Sequence, residues 1–585
     1  MADPEIELPR PESTYSRGEA PGINGNTPGI DIYAPSEPQP PTARSSIAKF
    51  DEKNDSEAVP ESEEEEEEPG EIVYHYLTYS TELPQPTSTC PTREGQQPAP
   101  EAPNLKKYDN PFDWPETRKN VTVYFSCFIT ALTAFSAGSY SPGVQQMTEE
   151  WHVSSVAAFV GITTFTCGFA VAPMILAPFS EINGRRPVFI ASGILFVICQ
   201  LCTGLTHSYA GMLVVRFFTG VGGSTFSTMV GGVVSDIYHT EDRNTPMALF
   251  SGGALFGTGW GPLVCGFIAQ NTTWRWIFYM QAIMNGVAVA LICVTFKETR
   301  GSVLLSRKAK ALNKWYAARE EVGYYTVNTP SADGKTVVPQ RIRWKVKEDE
   351  LRASLMSMIR TSLFRPFHLL FTEPVVFFFS LWVAFSWAVL YLTLAAIPLV
   401  FQRNHGFSLQ QANSVFAAMC VGAIISTFIS IYQEKIAKKY GKLTNTPEGR
   451  LYFACIESAC MPIGLFMFGW TSFSGIHWIV PSIAIAIATI GIFSIYLSTF
   501  NYLADTYHRY ASSALAAQSF CRNMLGGAFP LVTRQMYNGL TFGGASSLLG
   551  GIGTLLTIVP WVLVFYGPKI RRRSKFASEI MNTHD

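Results

Sequence analysis

The chain has 585 residues, of which 47% are hydrophobic and only 15% charged, with a formal net charge of −1 at pH 7. The apolar residues are gathered into long runs, which excludes an ordinary soluble multidomain protein of this length. No nucleophile–base constellation, cofactor fingerprint or metal-ligand spacing occurs, so an enzyme is not expected, and neither is a nucleic-acid partner.

Residues 1–107 are rich in Pro, Ser and Glu, include Glu63 to Glu68 as an unbroken acidic block, and hold no apolar run. Such a segment buries too little surface to offset its ordering entropy and reads as a disordered, acidic cytoplasmic tail. Met1 to Arg10 carries acids and prolines without an apolar signal core, so the first span is expected to act as its own membrane signal. The aromatic stretch from Asn110 to Lys119 then suits a membrane interface just before a span.

Six apolar runs follow, at about 121–142, 156–176, 188–206, 211–235, 247–270 and 275–296. Each is close to the roughly 20 residues that a helix needs to cross a bilayer. A polar connection at 297–370 is dense in Lys and Arg, and six further runs lie at about 375–402, 411–432, 452–471, 478–503, 511–534 and 546–566. Residues 568–585 form a basic tail. The pattern predicts an all-α membrane protein: a six-helix bundle over 108–296, a cytoplasmic linker over 297–370, and a second six-helix bundle over 371–567. Basic residues in the connection and the last tail put both termini on the cytoplasmic side. The arrangement is that of transporters whose site lies between two repeats.

Between the second and third runs lies Ala177-Pro-Phe-Ser-Glu-Ile-Asn-Gly-Arg-Arg-Pro187. Asn183-Gly184 signals a turn and Pro187 suits the first turn of the next helix, so the connection is very tight. Glu181, Arg185 and Arg186 make it a charged hinge or latch at the cytoplasmic surface. A weaker counterpart, Glu434 to Lys442, follows the eighth run. Ten of the eleven Cys lie in or beside apolar runs without paired spacing, and read as small hydrophobes.

Residues 177–186 resemble the loop signature G-x-L-x-D-r-x-G-R-R of the major facilitator superfamily, with Ala177 for the first Gly and Glu181 for Asp. Arg216-Phe-Phe-Thr-Gly-Val-Gly222 resembles the family's fourth-span motif, and Gly257-Thr-Gly-Trp-Gly-Pro262, continuing to Gly266, resembles its antiporter motif with Cys265 for one Gly. Trp274 to Phe278, Glu298-Thr299, Pro447 to Leu451, Asn501 to Tyr507, Ala511 to Ala517 and Phe529 to Leu531 are similar to the fungal twelve-span drug:proton antiporters. The resemblance covers about 108–570. It implies the major facilitator fold, a proton gradient as the energy source with no cofactor, and a conformational latch of Glu181, Gly184, Arg185, Arg186 and Asp505. In it Glu181 would meet a helix end of the other half, and Arg216 would couple proton movement by biasing a nearby acid.

From the residues themselves, an acid within or at the end of a span is a proton-handling candidate. Asp236 and Asp505 close the fourth and tenth runs, and Glu457 lies inside the ninth. Asp236 and Glu457 are taken with Arg216 as the proton-coupling set, although a latch role for Asp236 stays open. Arg522 inside the eleventh run is either a partner of Glu457 or part of a pocket. Gly257, Gly261, Pro262 and Gly266 give the fifth span a notch and a bend. Phe165, Tyr391, Tyr496, Asn501, Gln518 and Arg522 have the types and depths for an amphipathic substrate. The expected activity is proton-coupled export of small amphipathic toxins or drugs across the plasma membrane by a monomer. A polyamine or other small-solute carrier of the same superfamily, or a non-transporting membrane sensor, are the alternatives.

Overall fold

The computed structural model describes residues 70–84, 99–239, 242–330, 337–440, 447–574 and 576. The acidic block at Glu63 to Glu68, most of the N-terminal tail and the end of the basic tail lie outside the described residues.

Among the described residues, ten helical segments are long and apolar enough to cross a membrane. The expected twelve are completed in two ways. The fourth span, Tyr209–Thr228 continuing as Val230–Ile237, is diluted in hydropathy by Arg216 and its Gly, Ser and Thr. The last segment, 511–573, holds two spans, because Thr541 takes φ 65° and ψ 169° and breaks the helix. The Tyr537 and Ser546 hydroxyls lie 3.2 Å apart, whereas nine residues of continuous helix would separate them by about 13 Å, so the chain folds back there.

The first bundle comprises spans 1 to 6: Glu116–Gly138, Ser155–Asn183, Arg185–Leu205, the fourth span above, Asn244–Asn271 and Arg275–Thr295. Spans 7 to 10 are Pro374–His405, Leu409–Ser414 with Ala417–Tyr440, Tyr452–Glu457 with Cys460–Thr471, and Ile479–Tyr507. Spans 11 and 12 occupy 511–540 and 542–573. Serines set the starts: Ser154 caps span 2, Ser208 caps span 4, and Ser408 forms a capping box with Gln411 at span 8. Each satisfies a backbone N–H that has no partner within its helix. Apolar side chains such as Ile198, Val214 and Phe428 point outward and are exposed, as lipid-facing residues are.

Within the first bundle a buried polar chain ties three spans. Gln200 donates to Ser136, Gln281 to Ser139, and Asn285 to Gln200, at 2.9, 2.6 and 3.1 Å. Interhelical bonds of this kind hold spans together where no hydrophobic force acts between helices. The bundles meet along spans 2 and 11 and along spans 5 and 8.

The connection between the bundles is structured on the face that carries the basic residues, here called the basic face. Its helix Gly301–Glu321 packs Leu305, Leu312 and Tyr316 against Ile342 and Trp344. Strand β1 (Val73–Tyr76) pairs in parallel with β4 (Ile342–Lys345), Val73 opposite Ile342. β2 (Val327–Pro330) and β3 (Val337–Gln340) pair antiparallel. Residues 73–76 were expected in the disordered tail and are a strand instead. Their backbone finds a partner 269 positions away at Val73↔Ile342, and Leu77 is buried in the linker core. Arg341 and Arg343 both clamp Glu320, at 2.7 to 3.0 Å. Partial burial would raise that carboxyl, but the two guanidinium groups outweigh it and hold it at about 2. A second linker helix, Leu355–Thr372, lies against spans 2 and 11.

Candidate functional site

Gly184 ends span 2 with φ 100°, and a Cβ there would lie 2.1 Å from Glu298 Oε2. Only glycine fits both constraints. Glu298 sits just past span 6 and accepts the backbone N–H groups of Arg185 and Arg186, at 2.7 and 3.3 Å, so its carboxylate caps the N-terminus of span 3. The Arg185 side chain donates to Asp236 at 3.0 Å and to Ser180 at 2.7 Å, and Arg300 reaches the other Asp236 oxygen at 3.1 Å. One buried carboxylate and one capping carboxylate thus tie spans 2, 3, 4 and 6 at the basic face.

The second bundle repeats the device. Arg450, at the start of span 9, pairs with Asp505 of span 10 at 3.2 Å, and Glu448 pairs with Arg571 of span 12 at 2.8 Å. Asp236 and Asp505 therefore occupy matching positions of an internal repeat.

Deeper in the first bundle, Arg216 is fully buried. Its guanidinium lies 4.9, 4.6 and 5.8 Å from the ring centres of Tyr140, Phe165 and Phe278. Nε donates to the Gly161 carbonyl at 3.3 Å, while Nη1 and Nη2 have no hydrogen-bond partner. Aromatic faces take the place of a counter-ion.

Span 5 runs between these elements. A Cβ on Gly257 or Gly261 would sit 2.1 or 2.4 Å from the backbone oxygens of Ala131 or Phe135, so this notch seats span 1. On the other side, Gly252 meets Thr427 and Gly266 meets Asn413 of the opposite bundle, across the same helix. Pro262 lies within the helix. The motif makes span 5 a close-packed rail between bundles.

A cavity of about 800 Å³ lies between the bundles. Its lining includes Glu181, Arg185, Arg300, Arg365 and Asp505, so it reaches the basic face. At the opposite face the bundles are joined by Ser155 with Arg534 at 3.1 Å, Gln270 with Gln410 at 2.7 Å, and Thr163 with the Gly527 carbonyl at 2.8 Å.

The family model described as Major Facilitator Superfamily matches residues 126–530. This chain belongs to the major facilitator superfamily. Among its relatives, transporter paaT of Penicillium rubens is 35% identical over 477 residues, covering 80% of this chain and 82% of that protein. Multidrug transporter TPO1_2 of Candida glabrata is 31% identical, covering 84% and 83%, and multidrug transporter mdrA of Aspergillus fumigatus is 32% identical, covering 80% and 74%. The partially occluded inward-open xylose transporter XylE of E. coli shares the fold with a TM-score of 0.53 at 14% identity, covering 76% of this chain and 98% of that one.

Within this facilitator the expected residues separate into groups. Tyr496, Asn501, Gln518 and Arg522 line the cavity. Phe165 does not, because it packs on Arg216, and Tyr391 is buried beside span 11, where a Cβ on Gly526 would approach it. Asp236 is held in the basic-face latch rather than beside Arg216. Glu457 belongs to the other bundle and bonds to Gln433; it lines a separate hollow of about 80 Å³. Arg522 is not its partner, since the guanidinium packs on Trp387 and Tyr496 at 4.6 and 4.9 Å. The carboxylate at a helix N-terminus is Glu298 from the same bundle, whereas Glu181 lines the cavity. Arg186 reaches the Cys293 carbonyl at 2.8 Å. Glu298, Arg300 and Arg450 were missed as site residues, although an acid directly after the sixth run was a usable signal. Met229, Met247 and Phe500 add the adaptable apolar wall.

Proposed function

We propose that this facilitator is a proton-coupled efflux transporter that takes small amphipathic organic compounds from the cytoplasm and releases them outside the plasma membrane. The observation that carries this reading is the cavity between the bundles, open toward the basic face and bounded beyond Gly527 by contacts between spans 2 and 11. By the positive-inside rule that face is cytoplasmic. Relatives whose names read efflux pump support export as the direction.

The cavity wall combines Met229, Met247, Tyr496 and Phe500 with Asn501 and Gln518, which gives adaptable apolar contact and a few orienting polar groups. Release requires the cytoplasmic latches to close on one another while the opposite contacts part. Span 5, packed through glycines on both sides, is the surface along which the bundles rock. Glu457 is the proton carrier: its hollow shares Asn244, Arg450 and Asn501 with the main cavity, so its protonation state is felt where substrate binds. Arg216, held by aromatic rings, is the coupling arginine that the resemblance implies. The protein works as a monomer with both termini inside and needs no cofactor. A polyamine carrier would need several carboxylates in the cavity, and among the described residues only Glu181 and Asp505 line it.

The test is uptake into proteoliposomes of a cationic dye, rhodamine 123, and an anionic dye, fluorescein, with and without an imposed pH gradient. Gradient-driven uptake of either dye, abolished by Arg216→Ala, supports proton antiport. Uptake that ignores the gradient replaces it with a passive facilitator, gradient-driven uptake that survives the substitution removes Arg216 from the coupling path, and absence of any flux overturns transport.

A further inference from the structure

Among the described residues, two arginines are buried in the membrane part without a carboxylate, and they differ in what surrounds them. Arg216 is enclosed by Tyr140, Phe165 and Phe278 and does not line the cavity. Arg522 does line it, although only 3% of its surface is exposed. Its Nη2 donates to Ser519 at a long 3.5 Å, and its Nε and Nη1 have no hydrogen-bond partner. Next to it, Gln518 is also 3% exposed and its Oε1 has no partner.

A guanidinium kept from water needs its donors met, and an unpaired charge at this depth is expensive. Trp387 and Tyr496 offset part of that cost through their ring faces but accept no N–H. Nε and Nη1 are themselves covered, but the side chain lines the cavity, so an acceptor that enters there is the partner it can turn to. Among the described residues the wall favours anions: Arg185 and Arg300 are paired with Asp236 and Arg450 with Asp505, which leaves Arg243, Arg365 and Arg522 against Glu181.

We infer that the cavity's preferred cargo is an amphipathic organic monoanion, in the first place an aromatic carboxylate. The carboxylate sits on Arg522, which presents a planar fork of donors suited to it. The apolar body lies against Tyr496, Phe500 and Met247. This assignment rests on the transport reading above and narrows its substrate class.

The test compares binding of 1-naphthylacetate with its uncharged isostere 1-naphthylacetamide to the purified full-length protein, by equilibrium dialysis. Wild type is expected to bind the carboxylate at least about ten-fold more tightly. Arg522→Gln should abolish the preference, and Arg522→Lys should retain part of it, which separates loss of charge from loss of fold. Equal binding of the two compounds by wild type overturns the inference, whatever the variants do. The inference also falls if the preference survives intact in a folded Arg522→Gln protein. The two readings fail separately. Gradient-driven dye uptake without carboxylate preference removes the anion site and leaves the transporter. Carboxylate preference without any flux leaves the site and removes transport.

Discussion

Arg450 donates its Nε to Asp505 at 3.2 Å, in the place that Arg185 and Asp236 hold at 3.0 Å in the other bundle. The two latches share a design and differ in burial. The Arg185 and Asp236 side chains are 7% and 5% exposed, those of Arg450 and Asp505 20% and 23%. Removing one partner of a buried pair strands a charge and costs about 3–5 kcal/mol, while a partly solvated pair is worth about 1 kcal/mol or less. Asp236→Ala is expected to lower the thermal midpoint of the purified protein far more than Asp505→Ala. Equal shifts would mean that the second latch is as dry as the first.

Arg216 is held by rings rather than by an acid, and a planar guanidinium spreads its charge over several faces where an ammonium cannot. Arg216→Lys is expected to slow gradient-driven uptake on the order of ten-fold, the scale of a desolvated cation–π contact. Retention of full coupling by lysine would show that charge alone suffices.

The twelve spans are legible in the sequence because a run of apolar residues needs no partner to declare itself. Their ends are less so. The tenth run reads to about 503, yet the helix continues to Tyr507 because Asp505 is paired and Thr506 and Tyr507 are buried at the basic face. Partnerships across the fold are not legible. Glu181 and Glu298 are both acids at span ends, and only the folded chain decides that Glu298 meets the backbone of Arg185. Strand β1 is hidden for the same reason: Val73 to Tyr76 has little apolar pattern, and its partner strand lies in the linker. Four of six proposed substrate contacts line the cavity, because depth along a span can be counted. Phe165 does not line it, because the face of the helix it occupies is set by packing.

The linker subdomain carries a pH dependence of its own. Glu320 has its carboxyl held at about 2, below its ordinary value of 4.5. A group depressed on folding stabilises the structure above its unfolded value and loses that contribution as pH falls through the folded one. Amide exchange at residues 73–77 and 342–346 is therefore expected to quicken as pH drops from about 4.5 toward 2, after correction for the intrinsic rate. Glu320→Gln should abolish that dependence and quicken exchange at neutral pH. Unchanged protection in the variant would show that the clamp does not hold the strands.

The closure opposite the basic face depends on how near spans 2 and 11 approach. A Cβ on Gly527 would fall 1.9 Å from Thr166 Oγ1, and Thr163 bonds to the Gly527 carbonyl at 2.8 Å. Leucine cannot be fitted there without moving one helix away from the other. Gly527→Leu is therefore expected to prop this seal open while leaving the basic-face latches, which lie at the other end of the spans, intact. Ala516 lines the cavity below the seal, and a cysteine placed there in a cysteine-free background reports which side reaches it. With Gly527 present it should react with a membrane-impermeant maleimide from the basic face. With Gly527→Leu it should also react from the opposite face, and gradient-driven uptake should be lost because the two sides are no longer opened in turn. Labelling from the basic face alone in the leucine variant would show that the seal lies elsewhere along spans 2 and 11.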